Sequence, residues 1–363
     1  TCMLGNPPWE RVKLQEQEFF AARDPDVAKA PNAAARRKLI KTLEVDDPAL
    51  FGAYLAALRE ASGQSAFLRL SGRYPLNGRG DVNTYAVFTE LFRSLTGPHG
   101  RAGVIAPTGI ATDATTQHFF KDLVQTKTLA ALFDFENAKP IFEGVHRSFK
   151  FCLLTMTGRQ EPAEAATFAF FLHDPSEIGA KRFALTPEEI TLLNPNTGTC
   201  PVFRSRRDAE ITLGIYRRVP VLIKEGDPNG NPWGISFMQG LFNMTSDSHL
   251  FRTREQLEAD GWTLHGNVFH RGDDRMLPLY EAKMIHQFDH RWATYDPDNS
   301  VRSLSPVERR DPAYGPQPRY WLPESPVLDR LEAAGDGHLL AFRDICRSTD
   351  ERTLICGLVP RVA

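Results

Sequence analysis

Cys2-Met3-Leu4-Gly5-Asn6-Pro7-Pro8-Trp9 reads as a short apolar strand that runs directly into a stiff turn. Pro7 and Pro8 each fix a φ angle and remove an N–H donor. In such a turn the Asn6 side-chain oxygen and the Pro8 carbonyl can converge as two acceptors. That pair matches the two N–H donors of an exocyclic amine on a nucleobase. Trp9 adds a flat apolar face for a ring to stack on. A base extruded from a duplex has this shape and these donors. Asn-Pro-Pro is also an ordinary loop opener, so the tetrapeptide needs support from the rest of the chain.

Working outward, strands and helices alternate. Ala33–Leu43 and Ala49–Glu60 read as helices, the second with Phe51, Tyr54, Leu55 and Leu58 on one face. Gly72–Gly80 is turn-rich. Asn83–Leu95 is amphipathic, with Tyr85, Phe88, Phe92 and Leu95 on one stripe. Ala102–Ala106 predicts a strand, Thr115–Val124 a helix, and Thr128–Phe133 and Arg147–Met156 two more strands. Thr167–Leu172 reads as a further strand and Pro187–Leu193 as a short helix. This alternation implies βαβ units and a mostly parallel sheet, hence an α/β fold. The texture changes at Asn194-Pro195-Asn196-Thr197-Gly198. Beyond it Pro, Gly and aromatic residues are dense, and only Ser205–Arg218 and Thr253–Ala259 read as secure helices. A boundary between residues 195 and 196 is therefore expected, with an irregular α+β region after it.

The 363 residues fit two or three domains. Lys+Arg 43 against Asp+Glu 45 gives a net charge of −2. This carries no general basic excess, although a local groove can still be basic on a balanced protein. The five cysteines are scattered with no CxxC pair, which argues against zinc and a disulfide framework and fits a reducing cytosol. No run is apolar for about 18 residues, so no membrane span is expected, and no signal peptide opens the chain. A cytoplasmic location is the expectation.

Three phrases resemble the catalytic half of amino-methylating DNA adenine methyltransferases: Asn6-Pro7-Pro8-Trp9, the run Gly80-Asp81-Val82-Asn83-Thr84-Tyr85-Ala86-Val87-Phe88, and Gly103-Val104-Ile105-Ala106-Pro107. Downstream phrases narrow the resemblance. They are Asn194–Pro201, Leu277–Ile285, Arg319–Pro323, Phe342-Arg343-Asp344-Ile345 and Thr349-Asp350-Glu351-Arg352-Thr353. Together they resemble the large single-chain methylases of restriction–modification and phage-defence systems, of type IIG-like organisation.

The resemblance implies the C-terminal part of a Rossmann-like class I methyltransferase sheet over residues 1–195. A target-recognition domain follows over 196–363. It implies S-adenosylmethionine as cofactor and double-stranded DNA as partner; no obligate protein partner is evident. Asn6, Pro7, Pro8 and Trp9 inherit the grip on the flipped adenine. Phe142, in a loop before the last strands, inherits stacking on the base, with Phe149 second. Phe88 inherits contact with the adenine ring of the cofactor, and Asp81 a cofactor-binding place beside it. Core packing on an amphipathic helix explains Phe88 equally well.

The resemblance has gaps. The family's glycine-rich cofactor motif should precede the Asn-Pro-Pro-Trp turn and has no counterpart here, and the ribose-binding acid is missing too. No nuclease pattern is visible. The chain therefore reads as a fragment that binds cofactor weakly by itself.

In the second half, Arg204, Arg206 and Arg207 form the densest basic cluster and are candidates for phosphate contact. A solvated helix start is the plain alternative. Lys283 and Arg291, with His286, Gln287 and His290, interleave with Tyr280, Phe288 and Trp292, a second candidate DNA surface. His286 and His290 have helical i, i+4 spacing, but no third ligand accompanies them and no metal is assigned. Rival readings are cytosine amine methylation, a recognition module without activity, and protein glutamine methylation. Asn at position 6 favours adenine, and the long second region disfavours the last rival.

Overall fold

The computed structural model describes residues 1–238, 240–332, 339–347 and 349–362. They fall into two compact units, Thr1–Ile235 and Ser236–Ala363. Residues 196–235, which the sequence reading assigns to the second domain, cluster with the first unit.

The first unit holds β1 (Cys2–Gly5), α1 (Ala33–Asp46), α2 (Pro48–Leu70), α3 (Thr84–Leu95), β2 (Arg101–Pro107), α4 (Gln117–Gln125) and β3 (Leu129–Glu136). β4 (Lys150–Thr157), β5 (Ala166–Leu172), β6 (Phe183–Leu185), α5 (Pro187–Leu193) and α6 (Arg206–Tyr216) follow. The strands form one sheet in the order β1-β2-β4-β3-β5-β6. β1 is parallel to β2, and β3 to β5. β4 runs against both of its neighbours, and β6 against β5.

The sheet is thus mixed, not mostly parallel as the alternation implied. The reason is local. A parallel partner needs a crossover of a dozen or more residues, usually a helix. The segment between β3 and β4 forms no helix; it turns back, so β4 lies antiparallel beside β3. β1, β2, β3 and β5 still point one way, and their carboxyl ends share one edge of the sheet.

Alternation places Ala102, Val104 and Ala106 of β2 inward. α4 covers the core with Phe119, Phe120 and Leu123, all fully buried. Each such side chain contributes about 1.5–3 kcal/mol by leaving water.

Two helices depart from their expected faces. On α3 the buried residues are Tyr85, Ala86, Val87, Thr89 and Glu90, while Phe88 and Leu95 are exposed. The 72–80 loop causes this. Asn77 donates to the Ala86 carbonyl at 2.8 Å, and Glu90 accepts from the Leu76 and Asn77 amides. The loop therefore covers a polar strip that the hydrophobic pattern leaves outside. α2 extends to Leu70 and buries only Tyr54, with Leu55 and Leu58 exposed.

The second unit is α+β. β7 (Thr263–His265), β8 (Val268–Arg271), β9 (Asp274–Pro278) and β12 (Trp321–Pro323) form an antiparallel sheet in the order β12-β9-β8-β7. β10 (Ala293–Tyr295) pairs with β11 (Val301–Ser303), and β13 (Leu339–Phe342) with β14 (Cys356–Val359). Two phrases that are distant in sequence meet in the larger sheet, where Leu277 and Pro278 lie opposite Leu322 and Trp321. α7 (Arg254–Ala259) forms where expected, started by a Thr253–Gln256 capping box. α8 (Glu324–Glu332) adds Val327 and Leu331 to the core. The sequence reading misses it.

Candidate active site

β1 ends at Gly5, and the Asn6–Trp9 segment leaves the carboxyl edge of the sheet; it is irregular and forms no hydrogen-bonded turn, because Pro7 and Pro8 lack the amide donors that would close one. In open α/β sheets this edge is where ligands bind. A side chain at position 5 would meet the Phe92 ring at 2.5 Å, so glycine lets the segment lie against α3 with that ring in place. Pro7 is buried, and Asn6 is exposed. Among the described residues the Asn6 side chain makes no hydrogen bond, which leaves its oxygen free to accept.

The Pro8 carbonyl is not free in the same way. Thr84, at the start of α3, donates its hydroxyl to it at 2.6 Å. The same hydroxyl accepts from the Glu10 amide at 2.9 Å. The Thr84 amide in turn donates to the Glu10 carbonyl, also at 2.9 Å. Thr84 therefore clamps the segment to α3 and leaves the Pro8 oxygen one lone pair for a second donor.

Trp9 packs on two clusters, the main core and a smaller group around Phe135, Phe151, Ala169 and Leu172. Phe142 packs on the smaller group as well, edge-on to Phe151 at 5.1 Å. Trp9 and Phe142 thus flank one aromatic patch, in which Phe135 and Phe151 stack at 5.3 Å. The indole Nε1 of Trp9 is buried without a hydrogen-bond partner among the described residues. Trp9 also lines a cleft of about 920 Å³ that continues along Val12 and Gln15 to Glu60 and Gln64 of α2.

Asn137 holds the loop that carries Phe142. It is fully buried, donates to the Phe142 and Val145 carbonyls at 3.0 and 2.9 Å, and accepts from the Ile141 and Phe142 amides. Both side-chain ends are satisfied, which fixes the loop as a unit. Phe149 lies outside β4 and is half exposed. Sequence reading misses Asn137 and Thr84. The available signal is an Asn directly after a strand, ahead of Lys139-Pro140.

Phe88 lies one helical turn beyond Thr84, and both line a groove of about 270 Å³ with Val12, Phe67, Leu68 and Tyr74. The aromatic lining fits an adenine ring. Asp81 is exposed and lies outside this lining. Gln64 and the Tyr74 hydroxyl in the same lining are polar groups suited to ribose hydroxyls, but the lining holds no cation for a methionine carboxylate, so the groove fits the adenosine end of S-adenosylmethionine.

Arg204 stacks on Phe171 at 4.6 Å, and Lys150 lies over the same ring at 5.1 Å. Phe171 has φ +55°, a left-handed conformation uncommon for a bulky residue. Its amide donates to Asp134, which also accepts from Thr108 at 2.6 Å. Its carbonyl accepts from Lys181. Hydrogen bonds from Lys150 and His173 hold the Glu136 carboxyl below its usual range. Lys150 pairs with Glu136 and Lys181 with Glu177, so this end of the edge carries paired charges with Arg204 laid over Phe171.

Arg206 and Arg207 are exposed in the first turn of α6 and pair with Glu210. Cations there oppose the helix dipole, and Glu210 offsets this. In the second unit Lys283 is exposed. The Arg291 guanidinium donates to the carbonyls of Arg309, Asp311 and Tyr314, which commits it to holding that loop. His286 and His290 lie in an irregular segment rather than a helix, and His286 stacks on Trp292 at 4.2 Å. Among the described residues no group of three or more His, Cys, Asp or Glu side chains converges on a metal position, and no helix is long and apolar enough to cross a membrane. All five cysteines are free, and burial pushes the Cys152 and Cys200 thiols up.

No family model and no curated protein match the chain. Solved structures do. The type IIG restriction endonuclease BpuSI matches 77% of this chain and 32% of its own, at 14% identity and a TM-score of 0.30. A modification subunit of a putative type I restriction enzyme from Vibrio vulnificus YJ016 matches 41% of this chain and 28% of its own, at 16% identity and TM-score 0.22. The ATP-dependent Type ISP restriction-modification enzyme LlaBIII, bound to DNA, matches 47% of this chain and 10% of its own, at 7% identity and TM-score 0.25. The chain spans between a tenth and a third of the length of these proteins. The solved structures it is similar to are restriction or restriction–modification enzymes.

Proposed function

We propose that this chain is the base-holding half and part of the recognition half of a DNA adenine methyltransferase in a restriction–modification or phage-defence system. The observation that carries this reading is the Asn6–Trp9 segment. It leaves the carboxyl edge with the Asn6 oxygen free, the Pro8 carbonyl clamped by Thr84, and Trp9 on one aromatic patch with Phe142.

The adenine amine is a weak nucleophile because its lone pair is delocalised into the ring. Two acceptors on its N–H groups favour pyramidal nitrogen and concentrate electron density there. Those hydrogen bonds strengthen as positive charge develops on nitrogen, so they stabilise the transition state more than the ground state. Thr84 fixes one acceptor in advance, which removes a reorganisation cost at the moment of reaction. Trp9 and Phe142 orient the base plane. When bound, S-adenosylmethionine supplies an electrophilic methyl group. Phe88 and Tyr74 would hold its adenine ring. No general base is assigned.

The test is methyl transfer from labelled S-adenosylmethionine to duplex DNA, in the natural polypeptide that carries these residues. Asn6→Ala is expected to lower kcat/KM about 100- to 1000-fold, the typical worth of one preorganised hydrogen-bonding group. Undiminished transfer in that variant would remove Asn6 from the mechanism.

A further inference from the structure

In the second unit the segment His286-Gln287-Phe288-Asp289 closes a tight turn. The His286 amide donates to the Asp289 carbonyl at 2.8 Å, and the Asp289 amide returns a bond to the His286 carbonyl at 3.0 Å. Phe288, inside this turn, has φ +61° and is 83% exposed. Glycine closes such a turn without a clash, whereas a bulky side chain there is strained. Burial does not offset that strain, because the ring faces solvent.

The turn is also held firmly. The Phe288 amide donates to the Cys356 carbonyl at 2.7 Å, and the Cys356 amide donates to the Gln287 side chain at 3.2 Å. Cys356 of β14 therefore staples the turn through Gln287 and the Phe288 main chain. A strained, stapled turn whose one product is an exposed aromatic ring points to a ligand for that ring.

The surroundings select the ligand. Lys283 is exposed nearby, and Arg343 donates to the Ala282 and Ile285 carbonyls. Arg291 and Arg309 reach Asp289, by a main-chain amide and a guanidinium respectively. Guanidinium groups whose N–H bonds are committed keep their positive charge. Asp289, with its two arginines, does not cancel the set. An apolar protein partner would ask for further apolar surface around the ring. An aromatic tip in a cationic field suits a polyanion with stacked rings.

We infer that the His286–Asp289 turn is a wedge that inserts the Phe288 ring between neighbouring base pairs of duplex DNA. This rests on DNA being the partner in the proposed function. The test uses the protein with a closed circular plasmid, long enough to contain any short recognition sequence, relaxed by a topoisomerase in its presence. Insertion unwinds the duplex, so the recovered plasmid carries supercoils. Base extrusion at the other site can itself unwind DNA, so the readout is the supercoiling lost relative to the unaltered protein. Phe288→Ala is expected to lower the supercoiling per bound protein and to weaken plasmid binding about 5- to 150-fold, the worth of one base–aromatic stack. Phe288→Trp is expected to retain both. Phe288→Gly removes the strain and should raise Tm while lowering the supercoiling, which separates the ring's role from folding. Supercoiling per bound protein that is unchanged in Phe288→Ala overturns the wedge and leaves the proposed function standing. Failure of the unaltered protein to bind DNA overturns the proposed function, and the wedge with it.

Discussion

Thr84 Oγ1 is within hydrogen-bond distance of three main-chain groups, the Pro8 carbonyl and both polar groups of Glu10. Valine has nearly the same shape but leaves these groups without their partner. These groups are open to water, so Thr84→Val is expected to cost only about 0.5–1.5 kcal/mol of stability, the net worth of a hydrogen bond that water can replace. The shift in the urea midpoint measures it. Methyl transfer should fall as well, and Thr84→Ser should restore both. A variant with unchanged midpoint and unchanged transfer would show that the Pro8 carbonyl needs no clamp. The residue scale is also where sequence and structure part most clearly. Asn6, Pro8 and Trp9 announce themselves by residue type. Thr84 and Asn137 do not, because their roles arise from chain segments far away in sequence or from a loop path that no local pattern encodes.

At the scale of elements, α3 shows how a polar residue becomes internal. Glu90 is 6% exposed, and its carboxylate accepts from the Leu76 and Asn77 amides at 3.1 and 2.8 Å. Burial raises its pKa above the ordinary value of 4.5, against the opposing effect of those two hydrogen bonds. A carboxyl raised on folding favours the folded state most below pH 4.5, and that contribution is lost as pH rises through the raised value. Glutamine does not titrate. The stability difference between Glu90→Gln and the unaltered protein should therefore move in favour of glutamine as pH rises from 4.5 toward neutrality. Urea titrations at the two ends of that window decide it; a flat difference would mean that Glu90 is solvated. Helix starts were partly legible for a related reason. Ser305-Pro306-Val307-Glu308 is a capping-box pattern and does start a short helix, Pro306–Arg310, yet without a long apolar stripe behind it the pattern alone does not announce a helix.

For the whole molecule, the alternating elements of the first unit were readable because its longer strands are compact apolar runs, of which β2 lies between Gly100 and Thr108 with Pro107 at its end. The reversed β4 was not, since strand direction depends on the path of residues 137–149 and not on the strand's own composition. The second unit was readable only as α+β, because its strands are mostly three to five residues long. One consequence concerns the order in which the molecule assembles. β1 lies at the edge of its sheet, joined only to β2, and its partners are almost a hundred residues away in the chain. β3 and β4 meet across the much shorter 137–149 loop. Closing the longer loop costs more chain entropy, and pairings of that kind form slowly. Met3 and Gly5 amides should accordingly exchange with deuterium faster than that of Leu154 in central β4, a comparison that hydrogen exchange makes directly. Equal protection would mean that β1 folds with the sheet centre. The Asn6–Trp9 segment that follows β1 is then the last to be locked and the first to be released, so a destabilised variant would lose the geometry of the proposed base site well before it lost its fold.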